Sequence, residues 1–124
     1  MSQKKKILFL EDEKELLSTV GMLLRDHGYQ VMESEKGEDA LTIAEETPPD
    51  LILADIKLPG IDGFDFLKSV RLLKDCQTVP FVFLTAFNDM KAMMNAKKQG
   101  ASEYITKPFD FEYLVTRIKE LVPP

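Results

Sequence analysis

Short apolar runs that alternate with helical patterns along the whole chain most limit how this sequence can fold. The runs of strand length lie at 7–10, 29–32, 51–54, 81–84 and 103–106. Between them, apolar residues recur at the i, i+3, i+4 spacing of amphipathic helices, and glycine or proline follows several of these helices. We expect Met90, Met93 and Met94 on the fourth helix to serve core packing and the helix surface, and Asp110 to cap the start of the fifth helix. Alternating strand and helix units predict one α/β domain over residues 1–124.

The order of the strands decides where the ligand site of such a domain lies. Right-handed crossovers with short connections favour a parallel sheet with helices on both faces. For five strands a common order is 2-1-3-4-5, the doubly wound, flavodoxin-like arrangement, and ligands bind at the carboxyl ends of its strands. This (βα)5 fold predicts that the residues after the first, third, fourth and fifth runs share one crevice.

Composition argues against several other classes of protein. A formal net charge of −5 argues against direct nucleic acid binding by this domain. Cys76 is the only cysteine, so no intrachain disulfide can form. No apolar stretch is long enough to span a bilayer, and the acids after the first short run exclude a signal peptide there. We therefore expect a reduced, cytoplasmic protein without membrane contact.

Acidic residues follow two strands that the predicted order makes neighbours. Glu11, Asp12 and Glu13 come directly after the first run, and Asp55 comes after the third. Carboxylates about 4 Å apart repel by roughly 4 kcal/mol per pair at an effective dielectric near 20, and a divalent cation such as Mg²⁺ offsets that repulsion. Acids also suit a helix start. That second role is preferred for Glu13, is compatible with metal binding for Asp12 and stays open for Glu11.

Three further residues supply the chemistry of phosphoryl transfer. Asp55 closes a buried apolar strand, so it is either a turn-forming residue or a partnered carboxylate that acts as a nucleophile. Thr85 offers a hydroxyl and Lys107 a positive charge to phosphate oxygens, although each alone also fits an ordinary strand end or surface position. We expect the Lys107-Pro108 peptide bond to be cis, because a tight turn there would aim the ammonium inward.

Together these motifs resemble the receiver domain of two-component response regulators over essentially the whole chain. The matching residues are Glu11, Asp12, Asp55, Pro59, Gly63, Thr85, Ala86, Tyr104 and Lys107-Pro108-Phe109. The resemblance implies that Asp55 accepts a phosphoryl group from a sensor histidine kinase or phosphotransfer protein, as a signalling domain rather than a conventional enzyme. It implies that Thr85 and Tyr104 form a switch, which changes the surface of the fourth helix, fifth strand and fifth helix to control a partner or output domain.

The resemblance also implies a metal site and two positions that tune it. Mg²⁺ is expected on Asp12, Asp55 and the backbone carbonyl of Lys57, with Glu11 acting mainly through water. Lys57, two residues after the acceptor, and Phe87, two after the switch threonine, lie where related domains tune phosphoryl lifetime. We hypothesise that Phe87 restricts attacking water, while the sign of the Lys57 effect stays open.

Alternatives remain open for how the domain acts. Arg117 matches a dimer-forming pattern of this family, which suggests a homodimer through the fourth helix, fifth strand and fifth helix. Ser102, however, stands where that pattern often has an acid. The rival function is a phosphorylation-independent scaffold with the receiver fold. Residues 123–124 fit either a true end or the start of a linker to an output domain.

Overall fold

The computed structural model describes residues 3–124, and over these residues the chain forms a five-stranded sheet with helices on both faces. The strands are β1 (Lys6–Leu10), β2 (Gln30–Ser34), β3 (Leu51–Ala54), β4 (Phe81–Thr85) and β5 (Glu103–Thr106). The helices are α1 (Lys14–Asp26), α2 (Gly37–Glu46), α3 (Gly63–Val70), α4 (Met90–Lys98) and α5 (Phe111–Leu121), with a short 3-10 helix at Lys74–Cys76. The predicted (βα)5 fold is therefore confirmed.

The strand order places four strand ends side by side. All strand pairs are parallel and the order is β2-β1-β3-β4-β5, which confirms the doubly wound, flavodoxin-like prediction. Leu10 lies opposite Ala54 across the β1–β3 pair, and Thr85 lies opposite Thr106 across the β4–β5 pair. Since every strand runs in the same direction, the residues that follow these positions emerge at one edge of the sheet.

Apolar side chains on the two faces of the sheet form two separate core layers. In β1, Ile7 and Phe9 belong to the layer with α1 and α5, whereas Leu8 and Leu10 belong to the layer with α2 and α3. Coverage of both faces explains why the central strands read as continuous apolar runs. The helices thus contribute amphipathic faces, and within residues 3–124 none has the length and apolar character of a membrane span.

An aspartate immediately precedes three of the helices and acts as their N-cap residue. The side chains of Asp62, Asp89 and Asp110 each accept a hydrogen bond from a backbone N–H in the first turn of α3, α4 and α5. Such bonds satisfy donors that have no partner inside the helix. Asp110 was predicted in this role. These caps fix where each helix begins and so define the loops that line the edge.

The second strand differs from its predicted range. β2 begins at Gln30 rather than Tyr29 and continues through Glu33 to Ser34. Polar residues are tolerated at its end because β2 is an edge strand that pairs only with β1. Tyr29 instead is fully packed, and its hydroxyl donates a hydrogen bond of 2.6 Å to the backbone carbonyl of Val122.

Candidate functional site

Residues that follow β1, β3, β4 and β5 meet in one cavity at the carboxyl edge of the sheet. This cavity has a volume of about 480 Å³. Among the residues lining it are Glu11, Asp12, Asp55, Lys57, Thr85, Phe87 and Lys107. The structure therefore brings together most of the residues that the sequence predicted for the site, whereas Tyr104 and Pro108 lie outside this lining.

Three carboxylates face one another in the cavity. Glu11, Asp12 and Asp55 each offer an oxygen, and these oxygens all lie within 4.8 Å of one another. Glu11 is fully buried and Asp55 is 7% exposed, whereas Asp12 is open to solvent. At this distance like charges repel by roughly 3 kcal/mol per pair at an effective dielectric near 20. The cluster therefore needs a positive charge close by.

Lys107 supplies that charge. Its ammonium lies 2.8 Å from Oε1 of Glu11 and 3.0 Å from Oδ2 of Asp55. At about 3 Å and the same dielectric each pair attracts by roughly 5 kcal/mol, which exceeds the repulsion between the carboxylates. Burial lowers the pKa of Lys107, but its hydrogen bonds to the two carboxylates outweigh burial and leave the pKa above its ordinary value. The ammonium thus stays charged.

Glu11 is the most enclosed of the three acids. Burial raises the pKa of Glu11 above its ordinary value, and the charge of Asp55 adds to the rise. Hydrogen bonds from Lys107 and from the backbone N–H of Glu13 act in the opposite direction. These bonds engage both of its oxygens, since Oε1 accepts from Lys107 at 2.8 Å and Oε2 accepts from Glu13 at 3.1 Å. Both oxygens of Asp55 likewise accept hydrogen bonds, whereas Asp12 is open to solvent, so Asp12 is the most accessible oxygen donor of the three.

Backbone contacts fix the position of Asp55. Its Oδ1 accepts a hydrogen bond of 2.7 Å from the N–H of Ile56, and the N–H of Gly63 donates to the carbonyl of Ile56 at 2.7 Å. A Cβ on Gly63 would lie 2.8 Å from Cα of Ile56 and still closer to the carbonyl oxygen of Asp55. The start of α3 packs this tightly because residue 63 has no side chain. The sequence marked Gly63 as part of a motif but did not reveal this reason.

A short hydrogen-bonded path leads from the cavity to β5. Thr85 is 1% exposed, and its Oγ1 accepts a hydrogen bond of 3.3 Å from the N–H of Phe87. The hydroxyl of Tyr104 donates to the carbonyl of Phe87 at 2.6 Å. Burial raises the pKa of Tyr104, and the charges of Asp89 and Asp55 raise it further, so the hydroxyl keeps its proton. Phe87 thus joins the two residues that the sequence predicted as a switch.

The rim of the cavity comes from the segments after β3 and β5. Lys57 is exposed there, and Leu58 lines the same rim, a residue that the sequence reading did not include. Its position three residues after Asp55, in the loop that follows β3, is the feature of the sequence that could have indicated this location. The Lys107-Pro108 peptide bond is cis. The N–H of Lys107 donates to the carbonyl of Thr85 at 2.8 Å, which extends the β4–β5 pairing to the edge of the cavity.

The carboxylate cluster fits a hard divalent cation. Within residues 3–124, the grouped donors are the oxygens of Glu11, Asp12 and Asp55, without nitrogen or sulfur donors among them. Hard cations such as Mg²⁺ take oxygen ligands, and Mg²⁺ typically uses one or two carboxylates together with waters. The exposed Asp12 beside the nearly buried Asp55 provides such a pair. The residues present are thus suited to Mg²⁺.

The sequence profile of the response regulator receiver domain matches residues 7–119. The chain belongs to this family. Receiver domains are the phosphoacceptor signalling domains of two-component systems and interact with histidine kinases or phosphotransfer proteins. They generally bind Mg²⁺ at an acidic pocket. The predicted membership of the receiver family is therefore confirmed.

Known relatives include both receiver-length and longer proteins. Protein PilH of Pseudomonas aeruginosa is 33% identical over 119 residues, which cover 94% of this receiver domain and 97% of PilH. The phosphate regulon transcriptional regulatory protein PhoB of Escherichia coli is 36% identical over 118 residues, 95% of this chain but 52% of PhoB. The chain therefore spans about half the length of that second relative.

Among solved structures, the receiver domain of sensor histidine kinase PA1611 from Pseudomonas aeruginosa superposes with a TM-score of 0.88. It is 28% identical, and the match covers 98% of this chain and 100% of that one. That structure has a magnesium ion coordinated in its active site cleft.

Proposed function

We propose that this receiver domain is a phosphorylation-activated switch that accepts a phosphoryl group on Asp55 from a sensor histidine kinase or phosphotransfer protein. The observation that carries the proposal is the pairing of Oδ2 of Asp55 with the Lys107 ammonium at 3.0 Å, in a cavity that also holds Thr85. A carboxylate at the end of a buried strand, beside a lysine and a hydroxyl, has the groups that phosphoryl transfer requires.

The proposed step forms one bond and breaks one. A carboxylate oxygen of Asp55 attacks phosphorus while the bond from phosphorus to the donor's nitrogen breaks, and the product is an acyl phosphate. The N–H of Ile56 holds Oδ1 at 2.7 Å and so fixes the carboxylate. Lys107 then offsets negative charge on the phosphoryl oxygens, and the Thr85 hydroxyl donates a hydrogen bond to one of them.

Mg²⁺ is proposed as the cofactor of this step. Asp12, Asp55 and the backbone carbonyl of Lys57 would hold it, with Glu11, the fully buried acid of the three, acting mainly through water. When bound, the ion supplies positive charge that offsets the crowded carboxylates and the entering phosphoryl oxygens. The magnesium in the related PA1611 receiver supports this assignment.

The proposed output begins at Thr85. When its hydroxyl turns toward the phosphoryl group, it gives up the hydrogen bond from the N–H of Phe87, whose carbonyl holds Tyr104. Tyr104 then passes the change to the surface formed by α4, β5 and α5, where a partner, an output domain or a second copy would bind. Arg117 of that surface pairs with Glu103 at 2.6 Å. A homodimer through this surface would therefore have to keep or replace that ion pair.

Two positions are proposed to tune how long the phosphoryl group lasts. Phe87 lines the cavity with 41% of its surface exposed, where its ring is placed to restrict water near the acyl phosphate. Lys57 lies exposed at the rim, where its charge faces solvent, and the sign of its effect stays open.

The proposal is tested by incubating the protein with acetyl phosphate and Mg²⁺ and measuring its intact mass. We expect the wild-type chain to gain the mass of one phosphoryl group, and we expect chelation of Mg²⁺ to prevent the gain. Asp55→Asn removes the nucleophile and should abolish it. Asp75→Asn is the matched control, because Asp75 is an exposed acid outside the cavity. A wild-type protein that gains no phosphoryl group would favour the phosphorylation-independent scaffold instead.

A further inference from the structure

A second cleft lies between α3 and α4, beside the cavity that holds Asp55, which we call the phosphoacceptor cavity after its proposed function. The two spaces differ in most of their lining residues. The second cleft has a volume of about 690 Å³, within the range of ligand-binding clefts. We call it the α3–α4 cleft. The residues that matter most in its lining are Ile56, Phe64, Phe87, Lys91, Met94 and Lys98.

The side of this cleft formed by α4 is basic, although the chain as a whole is acidic. Met90–Lys98 contains three lysines and no acid, whereas the chain carries a net charge of −5. Lys91 and Lys98 are seven residues apart with Met94 between them, so they share one stripe of the helix and lie about 10 Å apart along its axis. Among residues 3–124, neither ammonium lies within 4.0 Å of a carboxylate.

The acids at the rim of the cleft already serve another role. Asp62 and Asp89 line the cleft, but each carboxylate accepts a hydrogen bond from its own helix, at 2.8 Å and 2.7 Å respectively. N-cap aspartates are held by such bonds and by the helix dipole. These bonds do not remove the negative charge of the two aspartates, but among residues 3–124 neither carboxylate lies within 4.0 Å of Lys91 or Lys98. Both lysines are exposed to solvent and available to an anionic occupant.

Part of the lining of the cleft is exposed apolar surface. Met94 is 65% exposed and Phe87 is 41% exposed, and large apolar side chains gathered in a cleft mark binding sites. The sequence suggested that Met90, Met93 and Met94 serve both core packing and the helix surface. The core-packing part was wrong, because α4 buries only Ala96 and leaves all three methionines exposed.

We propose that the α3–α4 cleft docks an acidic segment of a partner protein. An apolar side chain of that segment enters between Met94 and Phe87, and its carboxylates pair with Lys91 and Lys98. Carboxylates seven positions apart on a helix match the spacing of the two lysines. Methionine side chains adapt to the shape of an apolar group. The charge complementarity of the α4 stripe therefore selects an acidic segment with an apolar centre.

Phe87 connects this cleft to the phosphoacceptor cavity. Its side chain lines both spaces, and its backbone bonds to the hydroxyls of Thr85 and Tyr104. An occupant that contacts Phe87 thus acts on the segment that moves in the proposed switch. Because coupling between two sites is reciprocal, docking and phosphorylation change each other's equilibrium. This coupling rests on the proposed function, whereas docking itself does not.

Docking is tested first without Mg²⁺ or a phosphoryl donor. The probe is a fluorescein-labelled helical peptide of about 15 residues, with two glutamates seven positions apart and a leucine and a phenylalanine between them on one face. We expect saturable binding by fluorescence anisotropy that weakens as salt is added. Lys91→Gln/Lys98→Gln is expected to weaken binding by roughly 2- to 30-fold, the sum of two exposed ion pairs.

A matched control separates the cleft from general charge. Lys97→Gln/Lys119→Gln removes the same number of charges, one on α4 and one on α5, and neither residue lines the cleft. We expect it to bind the peptide like the wild type. A peptide with lysines in place of its glutamates is expected not to bind.

Three results would overturn docking at this cleft. The first is that the peptide shows no saturable binding, and the second is that both double variants weaken binding equally. The third is a lower sedimentation coefficient for Lys91→Gln/Lys98→Gln than for the wild type, which would identify a second copy of this chain as the occupant.

The coupling is tested separately by repeating the titration after acetyl phosphate treatment. If the wild type gains no phosphoryl group, the proposed function fails while the first titration still decides docking. If it gains one and affinity is unchanged, the coupling is wrong.

Discussion

At the level of single residues, Lys107 sets the charge balance of the phosphoacceptor cavity and Gly63 sets how closely its backbone packs. The compact ammonium of Lys107 reaches Glu11 and Asp55 together. An arginine would bring a larger, planar group in which charge is spread over several nitrogens, so Lys107→Arg is not a conservative change. Gly63 acts through its lack of a side chain. Its N–H donates to the carbonyl of Ile56, and at this close approach a Cβ would meet the backbone of Asp55 and Ile56.

Gly63→Ala is predicted to destabilise the domain. The added Cβ meets the backbone of Asp55 and Ile56, which cannot rotate away, so we expect urea unfolding to give a loss of about 1–3 kcal/mol. Gly21→Ala is the control, because its Cβ meets the far ends of the Glu33 and Arg25 side chains, which can move aside. Equal stability of the two variants would contradict the packing argument.

Phe87→Ala is predicted to shorten the life of the acyl phosphate. Removal of the ring opens the cavity to water, and we expect dephosphorylation several-fold faster than in the wild type. The rate is measured after removal of excess acetyl phosphate. Phe111→Ala serves as control, because Phe111 is similarly exposed, at 46%, and lies on α5. An unchanged rate in Phe87→Ala would refute the role.

The residues of the cavity were easier to predict from the sequence than the hydrogen bonds that connect the cavity to β5. Asp55, Thr85 and Lys107 were predictable because a parallel sheet gathers strand ends at one edge. The hydrogen bond from Tyr104 to the carbonyl of Phe87 could not be predicted, because every residue has a backbone carbonyl and the identity of residue 87 therefore does not indicate the bond. The engagement of Glu11 with Lys107 was also hidden, since it depends on side-chain positions 96 residues apart in sequence.

At the level of secondary structure, α4 differs from the other long helices in how little of it is buried. Only Ala96 of α4 is buried, whereas α3 buries Gly63, Phe66, Leu67 and Val70. Helices in proteins gain most of their stability from packing of an apolar face. The exposed methionines of α4 show the same i, i+3 spacing as a packed face, so the sequence alone could not distinguish this exposed face from one that packs on the core.

Faster hydrogen exchange is predicted for α4 than for α3. Few buried contacts mean that local opening of α4 costs less free energy. Hydrogen–deuterium exchange followed by mass spectrometry is expected to label peptides covering Met90–Lys98 sooner than peptides covering Gly63–Val70. Peptides covering α1, which buries Leu17, Val20, Gly21 and Leu24, provide a slow reference. Equal protection of α3 and α4 would contradict this account.

At the level of the whole molecule, the Tyr29 hydroxyl ties the end of α5 to the segment before β2. It donates to the carbonyl of Val122, and the bond lies in the core layer shared by α1 and α5. Burial raises the pKa of Tyr29. The neutral hydroxyl therefore contributes stability in full below the unfolded-state pKa near 10, and this contribution is lost as the pH rises through the folded-state value.

Tyr29→Phe is predicted to lower the free energy of unfolding by about 1–2 kcal/mol at pH 7, because the Val122 carbonyl loses its buried donor. The difference in the free energy of unfolding between the variant and the wild type is expected to narrow above about pH 10, where the unfolded tyrosine ionises more readily than the folded one. Urea unfolding at pH 7 and above about pH 10 measures this difference. Tyr113→Phe, at a 49% exposed site, should change stability little at either pH.

The strand order also determines when a growing chain acquires its acceptor site. Lys107 contacts Glu11 across 96 residues of sequence and Asp55 across 52. During synthesis the three carboxylates leave the ribosome well before the lysine that balances them, and closing such long loops costs entropy. Their mutual repulsion stays unbalanced by Lys107 until β5 adds to the sheet edge. The site is therefore completed late, and a chain that ends before residue 107 lacks the cation that pairs with Glu11 and Asp55.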